Sequence, residues 1–146
     1  MPAAGFDLER FIDAQAPVIA QVQSELRAGA KRMHWMWFVF PQIAGLGHSA
    51  MAQRYAIASL DEAKAYVDHP VLGARLRACT ALVLVVEGKS AHAIFGSPDD
   101  LKFHSCMTLF THAAPEQPLF RQALERFFRG RQDPYTVARL RDDTSD

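Results

Sequence analysis

Residues 31–49, KRMHWMWFVFPQIAGLGHS, place two cations, a histidine and both tryptophans of the chain beside a loop carrying two glycines. That combination can hold a phosphate-bearing ligand with a flat ring. An indole stacks on a base or sugar, an ammonium meets a phosphate, and glycines let backbone N–H groups approach an anion closely. In this reading Lys31 holds phosphate, Trp35 or Trp37 stacks, Gln42 reads a polar edge, and Gly45 and Gly47 shape the loop. His34 or His48 transfers a proton, since histidine titrates nearest neutral pH. The competing reading makes Trp35 and Trp37 core aromatics and leaves Lys31 and Arg32 solvated.

A second group lies on the helix that starts at Pro98. Phe103, Cys106, Met107 and Phe110 share one face; His104, Ser105, Thr108 and His112 fall on the other, with Lys102 at its margin. Exposed helix faces are rich in Glu, Lys and Arg, so a face of Ser, Thr and His points to a shielded pocket wall. Lys102 becomes a second phosphate holder, Ser105 and Thr108 become ligand-facing hydroxyls, and His104 is a further proton-transfer candidate. The alternative is a solvated face whose hydroxyls bond back to the helix.

Several familiar patterns fail. Gly45, Gly47 and Ala50 match G-x-G-x-x-[GA], but Pro41 to Ala44 separate them from the apolar run, and no parallel strands are expected to build the sheet that motif needs. An anion on the N-terminus of the helix after His48 survives as a weaker idea. Gly47-His48-Ser49 begins a nucleophile-elbow pattern that Met51 breaks. Among the six histidines only His104 and His112 share a helix face, two turns apart, which is too far to chelate together, so no metal is expected. Asp99 and Asp100 read as partners of a helix dipole rather than a catalytic pair.

The elements that must position these residues are helical. Asp7 is a candidate cap before Leu8, Phe11 and Ile12, and Pro17 opens a second helix burying Val18, Ile19, Val22 and Leu26 up to Gly29. Residues 33–40 have no clean period and read as a buried extended or short helical segment. Ala50 to Ala58 is expected as a short helix, and Ser59 with Glu62 forms a capping box for one ending near His69. Pro70 starts a helix whose Leu72, Leu76, Cys79, Val83 and Val86 make one stripe up to Gly88, although the ALVLVV run at 81–86 could be a strand. Ser97 and Pro98 open the next helix, and two more are expected over 118–129 and 134–140.

Composition sets the class. The chain has 146 residues, 49% hydrophobic and 22% charged, enough for one core and too ordered a mixture for wholesale disorder. Sixteen basic residues balance sixteen acidic ones, which removes a global drive toward duplex nucleic acid or an anionic membrane. The longest apolar stretch, Ala81 to Val86, falls far short of the roughly 20 residues that cross a bilayer. With no secretory signal and two cysteines, Cys79 and Cys106, outside any ligand spacing, a cytoplasmic location is expected.

The strings KRMHWMWFVFPQIAGLGHSAMAQRYAI, LDEAKAYVDHPVLGARL and IFGSPDDLKFHSCMTLF resemble a bacterial family of unknown function, domain of unknown function 1810, whose members are sometimes labelled calpastatin. The resemblance runs from about Asp7 to Leu140 and implies a helical fold without an assigned activity. A calpain inhibitor of that type is disordered and repetitive, whereas this chain is compact and apolar without repeats. Where the family tends to have a second serine, Cys106 stands here, so the resemblance leaves Lys102, Ser105 and Thr108 as the retained motif positions. A looser analogy of size and composition links the chain to small helical domains that process ADP-ribose and other NAD-derived compounds.

The expectation is therefore an all-α single domain over 1–146 with about six or seven helices and frayed ends at 1–5 and 141–146. It would bind a phosphate-bearing small molecule of the nucleotide or nucleotide-sugar kind, without a cofactor, and hydrolysis of a glycosidic bond is the chemistry its histidines would serve. The alternative is a non-catalytic helical interaction or regulatory domain.

Overall fold

The computed structural model describes residues 5–144. Ten helices follow one another: α1 Glu9–Gln15, α2 Ile19–Arg27, α3 Met36–Val39, α4 Ala50–Arg54, α5 Leu60–Asp68, α6 Leu72–Leu84, α7 Ala91–Phe95, α8 Asp99–Ala113, α9 Pro118–Phe128 and α10 Pro134–Thr144. Seven of them have seven residues or more, and no strand occurs among the described residues. The all-α expectation therefore holds, and the longer helices match the number read from the sequence. Fraying at 1–4 and 145–146 lies outside the described residues. Leu140 does not end the last helix, which continues to Thr144.

The element ends show which local signals acted. Ser59 Oγ accepts from Glu62 N at 3.2 Å, as the capping box requires, while Glu62 Oε1 reaches back to Ala58 N at 2.7 Å. At α1, by contrast, the helix starts after Leu8 without a side-chain cap, so Asp7 does not fill that role. The helix expected over 50–58 stops at Arg54 because the chain must extend to pair Ile57 with Ile43. In that isolated parallel bridge Ile57 N donates to Gln42 O at 2.9 Å and Ala44 N to Ile57 O at 2.8 Å. Residues 81–84 are helical, and α6 ends short of Gly88 where Arg126 donates to the Leu84 and Val86 carbonyls. A short helix that the sequence reading passed over, α7, begins where Ser90 Oγ accepts from Ala93 N at 3.0 Å.

Helix α8 is the hub, packed by α5, α7, α9 and α10. Its inner residues Phe103, Cys106, Met107 and Phe110 are fully buried. Phe103 meets Phe40 edge-on at 5.1 Å and stacks on Phe95 at 4.7 Å, joining α3, α7 and α8 through one aromatic cluster. On the far side Tyr66 packs against Phe110 and edge-on against Phe11. Gly73 lets α6 approach the end of α5, because a Cβ there would collide with the Val67 carbonyl. The run MHWMWFVF is a single helical turn in which Trp35, Met36, Phe38, Val39 and Phe40 are buried and Trp37 is half-buried. This packing fixes where the next loop leaves the core.

Candidate functional site

That loop forms one wall of the main cavity, which has a volume of about 570 Å³. Its lining comes from three separated parts of the sequence. Trp37, Gln42 and residues 45–49 with Ala52 form the first wall; Pro98, Leu101, Lys102, His104 and Ser105 form the second; Asp133 and Tyr135 form the third. The volume is that of a small-molecule site.

The first wall is held in place by hydrogen bonds from its neighbours. Arg139 on α10 donates to Gly45 O at 3.3 Å, Gln53 Nε2 donates to His48 O at 3.1 Å, and Ser49 Oγ accepts from Ala52 N at 3.1 Å. Gly45 has φ +96°, and any Cβ there would run into the Arg139 guanidinium, so glycine is required both for its backbone and for the approach of α10. Gly47 is needed for contact instead, since a Cβ would press on that of Ala52. The N-terminus of α4 has only five residues behind it and is capped by Ser49, which offers little to an anion.

On the second wall, Lys102 Nζ lies 4.8 Å from the Trp37 ring centre and 3.4 Å from Asp99 Oδ1. Lys31 repeats the arrangement outside the cavity: its Nζ is 2.8 Å from Asp99 Oδ2 and 5.1 Å from the Trp35 ring. One carboxylate thus sits between two lysines, each covering a tryptophan, which leaves the trio with a net positive charge. His104 lines the cavity but is already committed. Its ring stacks on Phe128 at 4.0 Å, and Nε2 donates to Arg131 O at 2.8 Å, so the proton is on Nε2.

The third wall explains the uncharged polar face of α8. The loop between α9 and α10 lies along it. His112 Nε2 meets Gln132 Oε1 at 2.7 Å, Thr108 Oγ1 accepts from Asp133 N at 2.9 Å, and Ser105 Oγ donates to Asp133 Oδ2 at 2.8 Å. Asp133 also caps α10, its Oδ2 accepting from Thr136 N at 3.2 Å and Thr136 Oγ1 at 2.6 Å. The face is shielded at Ser105 and Thr108, mostly by this loop, while His112 stays exposed; the two hydroxyls also bond back to the Leu101 and His104 carbonyls, and of the four residues His104 and Ser105 reach the cavity.

The structure therefore brings Trp37, Gln42, Gly45, Gly47, His48, Lys102 and Ser105 together at one cavity. It does not bring Lys31, His34, Trp35 or Thr108 to it. Trp35 is a core residue whose Nε1 donates to Glu25 Oε1 at 2.9 Å. Thr108 is fully buried beneath the α9–α10 loop, Lys31 is turned to Asp99, and His34 is exposed on the turn before Trp35. Asp133, Tyr135 and Leu101 were not singled out from the sequence. The string DPYT at 133–136 does carry a cap signature, with Asp before Pro at the first helical position.

Glu25 is the buried charge that holds the first wall from behind. Its Oε1 accepts from Arg32 N at 2.7 Å, Met33 N at 3.1 Å and Trp35 Nε1, and its Oε2 from Gln21 at 3.0 Å. Burial raises its pKa, but the bonds from Arg32, Gln21, Trp35 and Met33 outweigh that and bring it down to about 2. Among the described residues no group of His, Cys, Asp and Glu has the arrangement of a metal site, and no helix is long and apolar enough to cross a membrane.

Comparison with known proteins gives a family and a solved structure. The crystal structure of the conserved hypothetical protein Rv1873 from Mycobacterium tuberculosis is similar over 92% of this chain and 96% of that one, with 56% sequence identity and a TM-score of 0.91. No curated protein matches. The family model described as protein of unknown function (DUF1810) matches residues 5–140, and the chain belongs to that family.

Proposed function

We propose that the cavity binds a small molecule carrying a ring system and a phosphate, of the nucleotide or nucleotide-sugar class. The observation that supports this reading is the convergence, from three distant parts of the chain, of the Trp37 ring, the Lys102 ammonium and the Asp133–Ser105 pair on a single cavity of about 570 Å³. A ring would stack near Trp37, and a phosphate would compete with Asp99 for Lys102. One ammonium suits one phosphate group, so mononucleotides and sugar phosphates come first in a binding panel, with NAD and ADP-ribose after them.

Hydrolysis of a glycosidic bond in such a ligand is the finer proposal. His48, whose backbone is fixed by Gln53, would carry the proton, and the Asp133 carboxylate would face positive charge developing on the sugar. Lys102 and Trp37 would bind and orient; the bond to the leaving group would break as His48 protonates it, and a water from the open side of the cavity would add to the anomeric carbon and return a proton to His48.

The test uses tryptophan fluorescence and calorimetry with AMP, ribose 5-phosphate, ADP-ribose, NAD and inorganic phosphate. Saturable quenching by one class is expected, lost in Trp37→Phe and weakened at least about tenfold in Lys102→Ala. A flat response to the whole panel overturns the reading. It would favour a protein-binding role instead, for which the 73% exposed Tyr135 and 61% exposed Leu101 at the cavity are the supporting observation.

A further inference from the structure

Asp133 combines burial with an unused oxygen. The residue is only 8% exposed, and its three side-chain bonds, from Ser105 Oγ, Thr136 N and Thr136 Oγ1, all fall on Oδ2. Oδ1 accepts none from the described residues, yet it is not sealed in the core, since among those residues the buried side-chain atom without a partner is Thr80 Oγ1. Asp133 lines the cavity. A carboxylate oxygen in that position has two lone pairs and no local donor. Charged acceptors left this way gain most from a ligand that brings O–H groups.

The placement along α8 adds a second constraint. Ser105, which fixes Asp133, follows Lys102 by three residues, so the two residues lie on the same side of α8, with their backbone positions about 4.5 Å apart along the helix axis, and both line the cavity. A pentose phosphate presents its groups in a comparable way: an anion at one end and two secondary hydroxyls across the ring. Asp99 already neutralises part of the Lys102 charge, whereas no cation among the described residues is paired with Asp133. The two ends of the site therefore ask for opposite chemistry, an anion at one and hydrogen-bond donors at the other.

We propose that Asp133 is the specificity-determining residue of the cavity and accepts hydrogen bonds from the ring hydroxyls of a ribose, so that the site selects ribonucleotides and ribose phosphates over their deoxy counterparts. The inference rests on the nucleotide reading above and goes one step further in naming the sugar. Ser105 and Thr136 are positioning residues here, since they fix the carboxylate and leave Oδ1 to the ligand.

Calorimetry with AMP and 2′,3′-dideoxyadenosine 5′-monophosphate, which lacks both ring hydroxyls, tests it on the full chain. AMP is expected to bind about ten- to a hundredfold more tightly, the range for hydrogen bonds to a charged group. Asp133→Asn keeps an oxygen to cap α10 and replaces the other by an amide that donates; the preference should then fall to within about twofold, with the melting temperature little changed. Equal binding of the two nucleotides by the unaltered protein overturns the sugar assignment and leaves the nucleotide site standing. Binding of neither overturns both. A preference that survives in Asp133→Asn shows that the hydroxyls are read elsewhere and overturns the role of Asp133. If that variant does not fold, the comparison of the two nucleotides on the unaltered protein still decides the sugar assignment.

Discussion

Thr108 Oγ1 accepts the backbone N–H of Asp133 at 2.9 Å while donating its own proton to His104 O at 2.9 Å. A single buried hydroxyl thus ties the middle of α8 to the start of α10, beneath the cavity rather than in it. The backbone of Asp133 is oriented by this bond and its side chain by Ser105 and Thr136. The cavity wall is therefore as rigid as the hydrogen bonds behind it.

Thr108→Val keeps the shape of the side chain and removes its polar atom. Asp133 N–H is then buried without an acceptor, at a cost of about 1 to 3 kcal/mol. Urea denaturation should show this loss, while calorimetry shows ligand affinity changed by less than Ser105→Ala, because Ser105 lines the cavity and Thr108 does not.

Glu25 makes stability depend on pH in the acid range. Its folded pKa of about 2 lies below the ordinary 4.5, so its contribution is complete above pH 4.5 and is lost as pH falls toward 2. The gap corresponds to about 3 kcal/mol. Urea midpoints measured between pH 6 and pH 2.5 should fall for the unaltered protein, and Glu25→Gln should start lower and flatten that dependence. A dependence equally steep in the variant would remove Glu25 as its source.

The two tryptophans should separate cleanly. Trp35→Ala removes a fully buried ring and strands Glu25, costing about 3 to 5 kcal/mol. Trp37→Ala empties a half-buried position and costs less than half of that, but it should abolish fluorescence changes on ligand addition. Equal losses of stability would contradict the division between core and cavity.

Gly45→Ala tests the seam between the first wall and α10. The backbone strain at φ +96° costs about 1 to 3 kcal/mol, and Arg139 has to leave Gly45 O. Thermal denaturation should register the first effect. Arg139→Ala, which opens the same contact without strain, should change stability by less than about 1 kcal/mol.

Much of this was readable along the chain, and the limits have physical causes. Helix starts carried by a side chain or a proline, at Ser59 and Pro118, lie where the sequence puts them, because a cap acts over four residues. The end of α4 depends on Ile43, which is distant in sequence, and no local pattern around Ala58 announces it. The shielding of Ser105 and Thr108 was legible from the uncharged face of α8, whereas His112 on the same face is exposed, and the cover, residues 131–133, lies some 25 positions away. Lys31 and Lys102 look alike as residue types; which of them meets the cavity is decided by the packing of α3 against α8. The cap at Asp133 was legible in DPYT, whereas its second oxygen acquires meaning only beside Lys102 and Ser105.

Because the third wall is contributed by Asp133 and Tyr135, the cavity closes only when the last helix docks on α8. The rings that pack on Phe40, Phe103 and Phe110 all come from elements that precede that segment, so the aromatic cluster and the third wall are separable parts of the fold. A chain ending near Gly130 would keep every ring of that cluster and lack the third wall of the cavity.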